Sequence, residues 1–266
     1  MLEARGVTVA YQGPPRFVAV KAVDLHIGSG DTVGLVGESG SGKSTLARAM
    51  VGLSPVESGE VLLDERRIVG PGRGIRSVAD HGVQLVFQDP HASLNPRMSL
   101  GETLSEAVSL KERRRAAVTP RVHELLEMVG LNSGHLARYP HQMSGGQLQR
   151  IAIARALAVQ PRILLLDEVT ASLDVSVQAR ILNLLRRLQN DLGFAMLYIS
   201  HDLSVIRYVS DHVYVMRHGE IVEQGPVEQI FDQPRMEYTQ QLLRSVPTLG
   251  GNRWRRTHTP SHQESR

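Results

Sequence analysis

The sequence predicts an α/β fold: a largely parallel sheet covered by helices on both faces, with antiparallel strands before it and a helical segment inserted into it. Three observations carry this expectation. A glycine-rich run, Gly37-Glu38-Ser39-Gly40-Ser41-Gly42-Lys43-Ser44-Thr45, lies between an apolar strand-like run (32–36) and a helix-like run (46–53). After residue 157, short apolar runs alternate with amphipathic stretches, the pattern of strands joined by helices. From about 89 to 156 the pattern is mostly helical instead. The expected organisation is one domain over 1–246, followed by a disordered tail at 247–266. Within the domain the core is 1–88 and 157–232, the helical subdomain 89–156, and a C-terminal helix 233–246.

In chain order, Val7 and Val9, then Val23, Leu25 and Ile27, alternate as half-buried strands should, on either side of a turn at Gly13-Pro14-Pro15. Tyr11 ends the first of them and reads equally as an edge-strand aromatic or as a ring that stacks on adenine. Residues 59–63 form another strand, and 83–87 one buried on both faces. Asp89-Pro90 and Asn95-Pro96 punctuate a loop, followed by helices at 101–111 and 121–129. In the second, Val122, Leu125, Leu126 and Val129 make a stripe at i, i+3, i+4, i+7. The basic run 111–115 between them reads most simply as a solvated helix end, with contact to lipid headgroups or a partner as the alternative. A short buried strand ends in Asp167-Glu168, and Asp174 is placed to cap the long amphipathic helix after it. A strand (195–200), a short helix (203–209) and a hairpin turning at His218-Gly219 complete the domain.

Bulk properties narrow the class. The chain has 266 residues, 41% hydrophobic and 21% charged, ordinary for a globular protein with ample core. A net charge of +3 implies no commitment to nucleic acid. The absence of Cys excludes disulfides, thiolate metal sites and iron–sulfur clusters. The N-terminus lacks the apolar segment of a signal peptide, and runs such as 163–166 and 194–199 are far too short to cross a bilayer. A cytosolic protein that docks on a membrane protein is expected.

The glycine run reads G-x-x-x-x-G-K-S in a strand–loop–helix context, which makes it a phosphate-binding loop. Glycines permit backbone conformations in which successive N–H groups point at an anion, and the following helix adds its positive end. Lys43 would reach the β- and γ-phosphates of a nucleotide, and Ser44 would offer its hydroxyl to Mg²⁺. The chain uses Arg almost throughout, with Lys only at 21, 43 and 111, yet places Lys here. A compact ammonium fits between phosphates where a planar guanidinium does not. A chance match somewhere in a chain of this composition is on the order of one in several hundred.

Other candidates fall at strand ends. Asp167 would hold Mg²⁺, and Glu168 would act as general base or position the attacking water. His201 would hydrogen-bond the γ-phosphate, and Gln88 would sense Mg²⁺ or that water. Ser144-Gly145-Gly146-Gln147 is a capping box opening a helix. Its glycines leave N–H groups bare, making a second anion-binding helix end far from the first. Two such ends in one chain suggest that two chains meet around each nucleotide.

Together, Gly37 to Thr45, Gln88, Ser144 to Gln147, Leu164 to Glu168, Ser172-Leu173-Asp174 and His201 resemble the Walker A, Q-loop, signature, Walker B, D-loop and H-loop motifs of ATP-binding-cassette ATPases. The resemblance spans about residues 2 to 245. It implies a P-loop NTPase (RecA-like) core with ATP and Mg²⁺ as ligands. Residues 86–97, Val-Phe-Gln-Asp-Pro-His-Ala-Ser-Leu-Asn-Pro-Arg, look like the Q-loop of the oligopeptide/dipeptide/nickel importer subfamily, and residues 225–243 point the same way.

The resemblance implies two ATPase subunits, here a heterodimer, sandwiching two ATPs between the loop of one and the Ser144–Gln147 segment of the other, with Asp174 at the same junction. Two transmembrane permease subunits would dock on the helical insertion, at the cytoplasmic face of the membrane, and an extracytoplasmic solute-binding protein would act indirectly. Peptides are the expected solute, with nickel or another metal complex the alternative. A soluble non-transport cassette acting on ribosomes or DNA is the rival from another class, but such proteins fuse two cassettes or carry long coiled insertions. A regulatory, degenerate subunit is disfavoured by Glu168, His201 and Ser144 to Gln147. Val169 replaces the family's Pro after the glutamate, Met143 its Leu, and Arg235-Met236-Glu237-Tyr238 stands where the subfamily has His-Pro-Tyr.

Overall fold

The computed structural model describes residues 1–72, 82–112 and 115–245. Two sheets organise them. The first is antiparallel, in the order β2 (Phe17–Ile27), β1 (Leu2–Tyr11), β4 (Ser58–Leu63), β5 (Arg66–Val69). Leu2 and Ala4, then Val7 and Val9, face inward along β1 as two period-two pairs, separated by a register shift around Gly6 (φ 57°). Where β4 crosses β1, a Cβ at Gly59 would stand 2.2 Å from the Gly6 carbonyl oxygen, so only glycine fits.

The second sheet runs β10 (Glu220–Pro226), β9 (His212–Arg217), β3 (Thr32–Val36), β8 (Ala195–Ile199), β7 (Ile163–Asp167), β6 (Val83–Val86). It is parallel from β9 to β6, and only the β9–β10 hairpin is antiparallel. Every residue of β3, β7 and β8 is buried, which is why they read as continuous apolar runs. Alternate side chains feed two cores. Ile163 and Leu165 face the layer of α1 (Lys43–Met50) and the antiparallel sheet, whereas Leu164 and Leu166 face the opposite helical layer. One expectation is corrected here: β6 is not buried on both faces. It pairs with β7 alone among the described strands, ends at Val86, and leaves Gln84 and Leu85 half-buried.

The inserted helices are α2 (Pro90–Ser93), α3 (Leu100–Ser109), α4 (Arg115–Met128) and α5 (Gly145–Leu157). A reciprocal Ser99–Glu102 capping box starts α3. Helix α4 begins more than a turn before the predicted 121, running through Pro120, because Val118 extends the buried stripe of Val122, Leu125 and Leu126 backwards. Packing overrides the proline signal there. The opposite layer holds α6 (Val175–Leu192), capped by Asp174 as expected and stopped by Gly193 at φ 74°. The chain finishes with α7 (Leu203–Val209), α8 (Val227–Asp232) and α9 (Glu237–Arg244). The expected tail at 247–266 and residues 113–114 of the basic run lie outside the described residues.

Helix α7 lies tightly on β3. A Cβ at Gly34 would stand 2.6 Å from Ser210 Oγ and 2.7 Å from Ile206 Cγ2. Gly34→Ala is therefore expected to destabilise the chain by about 1–3 kcal/mol through overpacking, read as a lower urea midpoint. An unchanged midpoint would mean that α7 lifts off the strand freely.

Candidate nucleotide site

Parallel pairing builds this site. Leu35 lies opposite Ile199, Asp167 opposite Ile199 from the other side, and Val86 opposite Leu166. The carboxyl ends of β3, β8, β7 and β6 thus finish on one edge, where open α/β sheets bind ligands. That edge receives the 37–45 loop, His201, Asp167-Glu168 and Gln88.

The loop has the backbone its glycines were expected to allow. Gly37 lies at φ 153°, Gly40 at 79° and Gly42 at 107°. A Cβ on Gly37 would meet the Met216 carbonyl oxygen at 2.1 Å, and one on Gly42 the Ala19 carbonyl oxygen at 2.4 Å. Lys43 opens α1 with its ammonium inside the loop, donating to Gly37 O at 2.9 Å and Glu38 O at 2.8 Å. Burial lowers its pKa, partly offset by Glu168 and Asp167. Ser44 Oγ donates to Asp167 Oδ1 at 2.8 Å across 123 residues of sequence. Asp167 is buried, which raises its pKa despite that hydrogen bond. Ser39, Ser41 and Thr45 stand in the loop and first helical turn as the motif places them.

Glu168 is the focus of the edge. Its backbone sits at φ 48°, a left-handed conformation uncommon for a non-glycine residue, held by its N–H donating to Ile199 O at 3.0 Å. Gln88 Nε2 donates to Glu168 Oε2 at 3.0 Å, and His201 Nδ1 lies 3.2 Å from Glu168 Oε1. Both side chains thus converge on the carboxylate itself. Below it, Thr170 Oγ1 and Tyr198 Oη are 3.0 Å apart and buried, pinning the loop that follows, and Val169 is buried beside them.

The remaining candidates divide. Ser144 caps α5 through a reciprocal box with Gln147, but among the described residues no hydrogen bond joins 144–147 to the loop. Its two glycines differ. A Cβ on Gly145 would meet only Leu173 Cδ2, at an ordinary 3.5 Å, whereas one on Gly146 would collide with Val177 Cγ1 at 2.4 Å. Gly146 serves packing of α5 on α6, and Gly145 is left open. Asp174 Oδ1 accepts from Val177 N–H and Ser176 Oγ, which lowers its pKa. Tyr11 ends β1 with its ring 41% exposed, open to a stacking partner and within 3.4 Å of Ser54 Oγ.

One contact was missed. Buried Tyr238 of α9 accepts from the Glu38 N–H through its hydroxyl at 3.2 Å, under the Arg217 guanidinium 4.6 Å from its ring centre. The lone aromatic on that helix was the available signal.

These residues fit a nucleotide with a hard divalent cation. The glycine cradle admits no Cβ at two points, and Ser44 with Asp167 supplies oxygen donors only. No group of three or more His, Cys, Asp or Glu that could hold a metal occurs among the described residues. The Ser44 Oγ and Asp167 Oδ1 oxygens, 2.8 Å apart, suit Mg²⁺, which takes one or two protein oxygens and completes its shell with phosphate and water.

Known proteins agree. Residues 20–171 match the family model described as ABC transporter, and 222–266 the one described as oligopeptide/dipeptide transporter, C-terminal region. The oligopeptide transport ATP-binding protein OppF of Bacillus subtilis (strain 168) is 44% identical over 255 residues, 92% of this chain and 84% of the relative. Its namesake in Lactococcus lactis subsp. lactis (strain IL1403) is 45% identical over 235 residues, 87% of this chain and 73% of the relative. A solved ATP-binding cassette, a dimer in a post-hydrolysis state bound to ADP and Pi, superposes with a TM-score of 0.75 at 30% identity, covering 85% of this chain and 99% of that one. With a match over more than half its length and a site edge built from the same strand ends that carry the motifs, the chain belongs to the ABC transporter family.

Proposed function

We propose that this chain is the ATP-hydrolysing subunit that powers peptide import through a membrane transporter. The observation that carries the chemistry is the pairing of Ser44 with Asp167 beside a Glu168 carboxylate gripped by Gln88 and His201. In this reading the N–H groups of the loop and Lys43 bind the phosphates, and the Tyr11 ring stacks on adenine. Ser44 and Asp167 would hold Mg²⁺, assisted by Gln88, and the bound ion would supply positive charge to offset the negative charge that develops during phosphoryl transfer. Glu168 takes the proton of the attacking water, and His201 turns from the carboxylate to the γ-phosphate.

Ser144, Gly145, Gly146, Gln147 and Asp174 serve the nucleotide of a second cassette, in a heterodimer closed by ATP. Closure across that interface biases the two permease subunits between access states, a population shift set by bound ATP. An extracytoplasmic binding protein delivers the solute. Peptide rather than a nickel complex is favoured by the names of the relatives and by the C-terminal match at 222–266. A place on the cytoplasmic face suits a chain in which no helix among the described residues is long and apolar enough to cross a membrane.

The test is ATP-driven peptide uptake by the whole transporter in proteoliposomes, with Gly145→Asp as the probe. A carboxylate facing the partner's phosphates should cut uptake and hydrolysis about tenfold or more. ATP affinity of the isolated subunit should stay unchanged, because Gly145 lies outside its own site. Collapse of affinity in the isolated subunit would overturn the two-chain site, and a wild-type transporter that hydrolyses ATP without moving peptide would overturn the solute.

A further inference from the structure

A basic pocket lies outside the nucleotide cluster, at the C-terminal end of α4. Gly130, at φ 72°, ends that helix and leaves its last carbonyls facing a groove. Arg187 Nη2 donates to Met128 O at 2.6 Å, and Arg150 Nη1 donates to Val129 O at 2.9 Å. With Arg180, Asn183 and Leu184 they line a cavity of about 340 Å³.

Capping explains two of these arginines but not the third. A helix C-terminus carries about half a negative charge, which two guanidiniums already exceed. Arg180 is exposed and makes no hydrogen bond or ion pair among the described residues. Asp174, the carboxylate that feels its charge, has already committed Oδ1 to Val177 and Ser176. The excess charge registers on Arg150, whose pKa is lowered by burial first and then by Arg180 and Arg187, with no acid opposing. Among the described residues no carboxylate lines the cavity. Asn183 adds a donor, since its Oδ1 is occupied by the Tyr208 hydroxyl at 2.7 Å and its amide N–H₂ remains.

We propose that this pocket binds a small soluble phosphorylated ligand, its phosphate oxygens bridging Arg180 and the remaining N–H groups of Arg150 and Arg187. Guanidinium forks match phosphate geometry, and an open groove of about 340 Å³ has room for a di- or polyphosphate. Arg150 lies on α5 of the helical insertion, whereas Arg180 and Arg187 lie on α6 against the core sheet. A bridging ligand would therefore clamp the insertion to the core and regulate from outside the nucleotide site.

The test is calorimetric titration of the full chain with inorganic pyrophosphate, in a Lys43→Ala background that removes the nucleotide loop's own phosphate affinity. Binding is expected to persist there, and to weaken about tenfold or more on adding Arg180→Gln or Arg187→Gln, as for one lost charge-assisted hydrogen bond. Pyrophosphate should also raise the melting temperature of Lys43→Ala, but not of the double variants. No binding in Lys43→Ala, or binding that ignores both arginine changes, would overturn the site. Arg180-dependent sedimentation with phosphatidylglycerol vesicles, without pyrophosphate binding, would assign the phosphate to a lipid surface and overturn the soluble ligand.

Discussion

Exchanging Glu168 for Gln should lower ATP turnover by about 10²–10⁴-fold, the range expected for a lost general base, with little change in ATP affinity. The amide keeps the shape of the carboxylate but cannot take a proton from water. It also replaces one of the two carboxylate oxygens with an N–H₂ donor, so Gln88 Nε2 and His201 Nδ1, which now lie 3.0 and 3.2 Å from separate oxygens of Glu168, no longer each face an acceptor oxygen. A fall in kcat without a rise in KM is the signature of an interaction made only in the transition state. Steady-state ATPase assays with nucleotide titrations of the same preparation check it. Turnover within about threefold of wild type, below the smallest general-base effect, would place that role on another residue.

Lys43→Ala should weaken ATP binding about 100-fold or more, because two charge-assisted hydrogen bonds of about 1.5–3 kcal/mol each are lost together. The ammonium is already dehydrated and held by the Gly37 and Glu38 carbonyls, so phosphate oxygens replace existing partners with little further desolvation. Equilibrium binding of ATP, with melting curves to show that the variant is folded, checks this outcome. Unchanged affinity would sink the loop assignment. Lys43→Arg should fail almost as badly, since a guanidinium retains the charge but exceeds the space between the loop carbonyls.

Much of this protein is legible residue by residue. The capping box at Ser144–Gln147 and the cap at Asp174 are signals within four residues, and each forms as read. The apolar runs of β3, β7 and β8 announced strands, and each forms there buried along its whole length. Misreadings arose where a local rule met a distant partner. The apolar stripe placed the start of α4 at 121, yet the burial of Val118 carries the helix back through Pro120 to Arg115. The apolar run at 83–87 read as an interior strand, but an edge position shows in the strand order and not in composition.

The fold class and the parts of the nucleotide site were written in the sequence, because glycine spacing, caps and apolar period act over a few residues and need no knowledge of the rest of the chain. What those parts do to one another was not. Gln88 and His201 lie 80 and 33 residues from Glu168, and Tyr238 lies 200 residues from Glu38, separations that no local pattern encodes. The division of labour between Gly146 and Gly145, and the gathering of three arginines at the end of α4, likewise await the packing of α5 and α4 against α6. Parallel strands bring their carboxyl ends to one edge whatever lies between them in sequence, so the contacts that arm Glu168 exist only once the sheet is assembled.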